Sequence, residues 1–415
     1  MHSQRKQKGF ALMLCLIVII LLAVLSTVLI NRYIVDTRNT EIFTQGVRAF
    51  WLAESGMGRA IWEYNYGVDT WVGWTTSTTD KLFSVTGGLS GDYDIVVQNY
   101  LSTTPTVIST GYFPNKMASD RIVRTVRAVI GRGESLFQYA AFGDKSLKLG
   151  GTMYSDSYDS DAGMYGEVLA DGSTNIAQNG DVGTNGDITT GGGSYINGDA
   201  STGLSGTFND QSAVSGTIEH NNNLEFPLIL PPAYLQSLPS GGSILSGTTL
   251  GPGNYQFSRI QLSSSDTLTI TGPAEIYLTA KTAIKMSASS AIVIDPATTG
   301  TVKIYFDGNI DIESQGIINT TYDCSNVLLV GTNPVSQTVK ISGQQDMYAA
   351  VYAPKSDVTL SGGVGYFGSY IGSTVTSLGT SALHYDEELA DNNMGISFYT
   401  HYYWIDSQRS YAVYP

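Results

Sequence analysis

Cysteine, cationic side chains and early prolines are all scarce in this chain of 415 residues. The two cysteines, Cys15 and Cys324, stand far apart and do not read as a disulfide framework. Cys15 lies in an apolar run and reads as a small hydrophobe, Cys324 as a buried or free thiol. Twenty-two Lys and Arg face 36 Asp and Glu, a formal net charge of −14. That balance does not suit a phosphate backbone, which is held by clustered cations, so nucleic acid is not expected as a partner. Charged residues make up only 14% of the chain and Gly is abundant, as suits a solvated, exported protein. No proline precedes Pro105, so nothing of that kind breaks a helix begun near the N-terminus. The patterns HExxH, CxxC, GxSxG and the phosphate-binding loop are absent, and the four histidines stand apart in sequence. A polysaccharide-active solenoid enzyme would need a carboxylate pair, or Ca²⁺ with a basic residue, in one groove. No local constellation supplies one, so no catalytic residue, no cofactor and no enzyme activity are expected.

What the chain does have is a long apolar run. "KQKGFALMLCLIVIILLAVLSTVLI" extends from Lys6 to Ile30, with Arg5, Lys6 and Lys8 at its front. From Phe10 to Ile30 it is long enough to cross a hydrocarbon core of roughly 30 Å as a helix, and the basic flank fits a cytoplasmic N-terminus. A secretory signal would be shorter in its apolar region and end in an A-x-A-like site, and none follows. Past Ile30 the pattern becomes amphipathic. Val47, Phe50, Met57, Ile61 and Tyr64 recur at spacings that keep them near one helical face, with Arg38, Glu41, Arg48, Glu54, Arg59 and Glu63 elsewhere. Gly67 offers a stop, which predicts one helix over 10–66, roughly 80 Å long.

The order basic leader, Gly9, Phe10, apolar run resembles the class III signal of type IV pilins and type II secretion pseudopilins. "AFWLAESGMGRAIW" (Ala49–Trp62) resembles a stretch of PilX-type minor pilins, carried here by Ala49, Phe50, Ala53, Glu54 and Gly56. The resemblance implies several things. A prepilin peptidase cuts between Gly9 and Phe10 and methylates the new N-terminus. The helix sits first in the inner membrane, N-terminus cytoplasmic, and later packs with other pilins or pseudopilins in a filament at the cell surface. One position departs from the major pilins. Where they carry a Glu that pairs with a neighbour's N-terminal amine, this chain has Leu14.

Behind the helix the period changes. "YDIVVQNY", "TPTVISTGYF" and "RIVRTVRAVIG" alternate apolar and polar residues and predict a small antiparallel sheet over 67–135, resembling a reduced pilin head. After Phe142 the composition shifts to Gly, Ser, Thr, Asp and Asn, with N-G-D at 179–181, 185–187 and 197–199. Short strands such as "LTIT", "EIYL", "AIVID" and "VKIYF" then follow a handful of residues apart, leaving no room for helices. The expected class is α+β: the long helix and small sheet, then a parallel β-helix, with a β-sandwich as the alternative. The first solenoid part is placed at 136–224 and the main solenoid at 243–390. The Pro-rich 225–242 between them is expected to cross the solenoid or close its first half, since proline is barred from interior sheet. The aromatic tail 391–415 is read as a cap over the solenoid's open end, or as a surface for a partner or glycan. "LHYDEEL" and "DSYDSDAG" resemble segments of a solenoid domain attached to pilin N-termini in PilX-like proteins. Within the second, Asp156, Asp159 and Asp161 are the candidate Ca²⁺ ligands, with ordinary turn chemistry as the other reading. The function expected is a minor pilin or pseudopilin at a filament tip. The alternatives are an adhesin presenting the solenoid to a surface or glycan, and a tethered β-helix enzyme.

Overall fold

The computed structural model describes residues 4–66, 80–85, 90–98, 105–132, 135–392, 394 and 399–410. The expected stop at Gly67, the start of the head and the last residues of the tail lie outside these. Two compact units emerge. One holds the long helix, the head sheet and the C-terminal strand; the other holds the solenoid.

Helix α1 (Gln4–Tyr66) runs unbroken for 63 residues, about 95 Å at 1.5 Å per residue. It starts inside the basic leader and ends where expected. Past the leader it is apolar on every side as far as Ile30, and its large hydrophobic residues from Leu12 to Val35 are exposed. By length and composition this stretch is able to cross a membrane. Strands β1 (Asp80–Val85), β2 (Gly91–Gln98), β3 (Thr106–Phe113) and β4 (Ile122–Arg132) form an antiparallel sheet in chain order. The helix stripe that meets this core is the expected one in part: Met57 is in it and Phe50, Ile61 and Tyr64 pack against it, but small residues hold its centre. Ala49, Leu52, Ala53, Met57 and Ala60 are buried with Ile95, Val107 and Val126, while Val47 stays exposed and Phe50, Ile61 and Tyr64 lie at the rim. Small residues take the centre because helix and sheet approach closely. A Cβ on Gly111 would stand 2.0 Å from the carbonyl oxygen of Ala49, and one on Gly56 would stand 2.1 Å from Oγ of Ser109.

The C-terminal strand Tyr399–Ser410 corrects a second expectation. It adds to this head sheet beside β4 rather than capping the solenoid. Aromatic, alternating residues suit any half-buried strand. Local pattern therefore gave the strand but not the sheet it joins.

The second unit is a parallel solenoid with a common interior of Ile, Val, Leu and Ala. In its first part the partners Val182, Ala200 and Ile218 step by eighteen residues. The N-G-D triplets form corners of these coils. Asp181 Oδ1 accepts from the Asp199 amide at 2.7 Å, and Asp199 Oδ1 accepts from the Thr217 amide at 2.6 Å, one coil further on. Side-chain caps of this kind satisfy backbone donors that the sharp corner leaves without sheet partners. Later coils are longer. The register Gly253, Ala274, Val302, Val327 steps by 21 to 28 residues.

Stack order does not follow chain order. The chain enters in mid-stack at Ala141–Leu149 and builds outward to Ile218–Asn222. It then travels along the outside to Ser243–Ile244 at the far end and coils back. The last long strand, Gly365–Gly379, is sandwiched between Met347–Gly362 and the entering Ala141–Leu149. The Pro-rich stretch is the outside path. Leu224 bonds Asn185, the Pro227 carbonyl accepts from Tyr352 Oη at 2.6 Å, and the Gln236 carbonyl accepts from Gln256. Its Phe226, Ile229, Leu235 and Leu238 join Phe142, Tyr277, Tyr305, Leu328 and Tyr352 in a second core on that outer face. Proline suits a strap that lies across strands without pairing to them.

Candidate functional site

Two regions carry the residues singled out above. The first is α1. Gly9 and Phe10 lie within the helix, their side chains outside the described residues. Leu14, in the exposed apolar half, is 54% exposed. Of the helix motif, Ala49, Ala53 and Gly56 face the head sheet, and Phe50 and Glu54 are half-buried beside it. The motif is thus accounted for as the close helix–sheet seam, and the apolar half above it is left free for lipid or for other helices.

The second region is where the chain's last coil meets its first. Strand Ala382–Asp386 pairs in parallel with Tyr154–Tyr158, setting His384 opposite Asp156 and Asp386 opposite Tyr158. The "LHYDEEL" and "DSYDSDAG" segments are therefore neighbours. Asp156 is buried, accepting from Tyr165 Oη at 2.6 Å and lying 2.5 Å from His384 Nδ1. The bond to Asp156 and burial hold the Tyr165 phenol well above its usual range, burial being the larger cause. His384 is packed between Phe367 and Tyr165 rings, and Phe367 stacks on Tyr348.

Two residue pairs further along, Asp386 is fully buried and accepts from the Ser160 amide at 3.1 Å. Burial raises its carboxyl to about 6, while the Ser160 bonds pull the other way. Tyr158 Oη stands 3.2 Å from Cys324 Sγ, and burial pushes that thiol far up, so Cys324 is an inert core thiol. Glu387 accepts from Ser157 and Asn179, and Glu388 from Ser160 and Asn392.

The carboxylates proposed for Ca²⁺ do not converge. Asp156 is committed to His384 and Tyr165, Asp159 Oδ1 accepts the Asp161 amide in a tight turn, and Asp161 is exposed. Among the described residues the acidic ligand atoms that do converge belong to Asp323, Asp386 and Glu388, within 4.8 Å of one another. Asp323 is occupied with the Ser325 amide and Asn326. The local "DSYDSDAG" pattern could not show this, because its neighbours come from the far end of the chain.

A domain family described as "Domain of unknown function (DUF7305)" matches residues 233–392. No curated protein matches the chain. Among solved structures, the competence-associated pilin ComZ from Thermus thermophilus is similar at 13% identity and a TM-score of 0.30, covering 87% of this chain and 97% of its own. An ice-binding protein from the Antarctic ascomycete Antarctomyces psychrotrophicus is similar at 12% identity and a TM-score of 0.28, covering 60% of this chain and 94% of its own.

Proposed function

We propose that this chain is a minor pilin or pseudopilin, held by α1 in a filament and displaying its solenoid at the tip. The observation that carries the proposal is the single unbroken helix. An exposed apolar half with a basic leader continues, with no joint, into a half that docks tightly on a small antiparallel sheet. In this reading prepilin peptidase removes the leader after Gly9 and methylates Phe10. The mature helix waits in the inner membrane with its N-terminus cytoplasmic and then joins the helix bundle of other pilins. The chain contributes assembly and presentation, not catalysis.

Leu14 supports the tip position. A subunit inserted beneath another would leave that neighbour's N-terminal amine unpaired in an apolar core, at a cost of a few kcal/mol. A subunit at the tip has nothing above it and meets no such cost. The solenoid's bulk adds to this, since it would crowd if repeated along a shaft. Gold labelling of the solenoid on isolated filaments tests the position. Label at one end, moving toward the shaft in a Leu14→Glu variant, agrees with the reading; label along the whole wild-type shaft contradicts it.

The second reading, an adhesin, is favoured by a separate observation on the solenoid surface, argued next.

A further inference from the structure

Between residues 135 and 392 the chain has eight Lys and Arg and twenty-five Asp and Glu. Among the described residues only Lys285, with Asp311, and Lys303, with Glu275, are paired. The other six, Lys145, Lys148, Arg259, Lys281, Lys340 and Lys355, have no ion-pair partner.

These six are not scattered. One face of the solenoid is built by Arg259–Leu262, Thr282–Met286, Asn309–Ser314 and Thr338–Gly343, then by the second halves of Met347–Gly362, Gly365–Gly379 and Ala141–Leu149. Along it the outward residues Lys285, Asp311, Lys340, Thr359, Thr376 and Lys148 stand in one register column, one per coil. Arg259 shares the face. Lys281, Lys355 and Lys145 fall at the corner where the strands enter it. Seven of the eight solenoid cations therefore lie on or beside a single face, and Lys303 alone lies under the strap side. The face also carries Asp311, paired with Lys285, the exposed Glu313, and Asp357 and Asp187, which stay charged while accepting from Thr374 and Thr207. With Asp144 and Asp307 at the corner these are six carboxylates beside seven cations, where the rest of the solenoid has nineteen beside one. The opposite, strap-covered face is closed by the second core; this one is open.

We infer that this face binds an extended carboxylated polysaccharide laid along the solenoid axis. An anionic partner follows from the unpaired cations. Its class follows from their spacing. With coils about 4.8 Å apart, Lys285 and Lys340 stand roughly 10 Å apart, and Lys340 and Lys148 roughly 14 Å. A duplex presents a charge about every 1.7 Å, far denser than this column matches, and the acidic remainder of the solenoid would repel it. A sugar polymer with a carboxylate on some rings carries sparser charge. Between Lys340 and Lys148 it would meet Thr359 and Thr376, and beyond the end cations Gln261 and Thr189, whose amide and hydroxyls both donate and accept; between Lys285 and Lys340 stands Asp311, held by Lys285. The strands keep straight register across the open column, and the irregularities occur at the corner, so the face is a continuous track.

The inference does not rest on the filament reading and fails separately from it. Its test uses the full chain in nonionic detergent, titrated with polygalacturonate, alginate and hyaluronan, with neutral dextran and double-stranded DNA as comparisons. Binding to at least one carboxylated polymer, weakened by added NaCl and absent for dextran, is expected. Lys148→Gln with Lys340→Gln should weaken it about tenfold or more. Met164→Glu with Val168→Glu adds the same charge in an exposed loop elsewhere and should leave affinity nearly unchanged. Failure to bind any of the three polymers, equal loss in both double variants, or tighter binding of DNA would overturn the inference.

Discussion

His384 Nδ1 lies 2.5 Å from Asp156 Oδ1, across 228 residues of sequence and one parallel strand pair. The pair marks where the last coil of the solenoid closes on the first. Because the chain enters in mid-stack, no coil of the 243–390 segment completes the structure without the strands between 141 and 196. The pair, the Tyr165 hydroxyl and the stacked Phe367 ring hold that closure.

Removing the carboxylate should therefore cost more than a surface ion pair does. Asp156→Ala leaves a buried imidazole and a half-buried phenol without their acceptor, and the expected loss is about 3 kcal/mol. Asp156→Asn keeps an acceptor for Tyr165 and should lose less. Urea unfolding of both variants against the parent checks the order.

Asp386 supplies a pH dependence. Its folded value of about 6 lies above that of an unfolded Asp, near 3.9. Between those values the folded state holds a proton that the unfolded chain has released, so stability falls as pH rises through that window. Below it the difference vanishes, and above it the full cost remains, on the order of 3 kcal/mol. Asp386→Asn should flatten this slope and be the more stable protein at pH 7. Unfolding midpoints from pH 4 to 7, compared between the two, isolate this group from Glu387 and Glu388 beside it. Equal slopes would contradict the assignment.

The stack order predicts how the solenoid tolerates cutting. A chain limited to 233–392, the stretch matched by the domain family, retains the late coils but exposes the edge of Gly365–Gly379 where Ala141–Leu149 belongs. Open parallel edges with apolar neighbours associate. That fragment should aggregate, whereas 135–392 should be a soluble, β-rich monomer. Size-exclusion chromatography of the two distinguishes the outcomes.

What the sequence made legible and what it did not separate along one physical line. Alternation in "YDIVVQNY" and "RIVRTVRAVIG" places β2 and β4 within two residues of where they stand, because a half-buried strand writes its period into its own residues. Proline marked the strap. The Asp156–His384 closure, the mid-stack entry and the pairing of Tyr399–Ser410 with the head sheet are relations between distant segments, and neither segment carries a local signature of its partner. The centre of the helix stripe was missed for a related reason, although Met57, Phe50, Ile61 and Tyr64 do pack on the sheet. Periodicity favoured the large residues Val47 and Phe50, but the seam is set by Ala49, Ala53, Gly56 and Gly111, whose smallness matters only once the sheet is opposite.

The most direct test of the account is the N-terminus of the mature protein. Intact-mass and terminal-peptide analysis of the chain from membranes of a host with prepilin peptidase should show a sequence starting at a methylated Phe10. A Gly9→Val variant should keep Met1 or its neighbour as the first residue. Wild-type protein that begins at Met1, or beyond Ile30, would contradict the pilin reading.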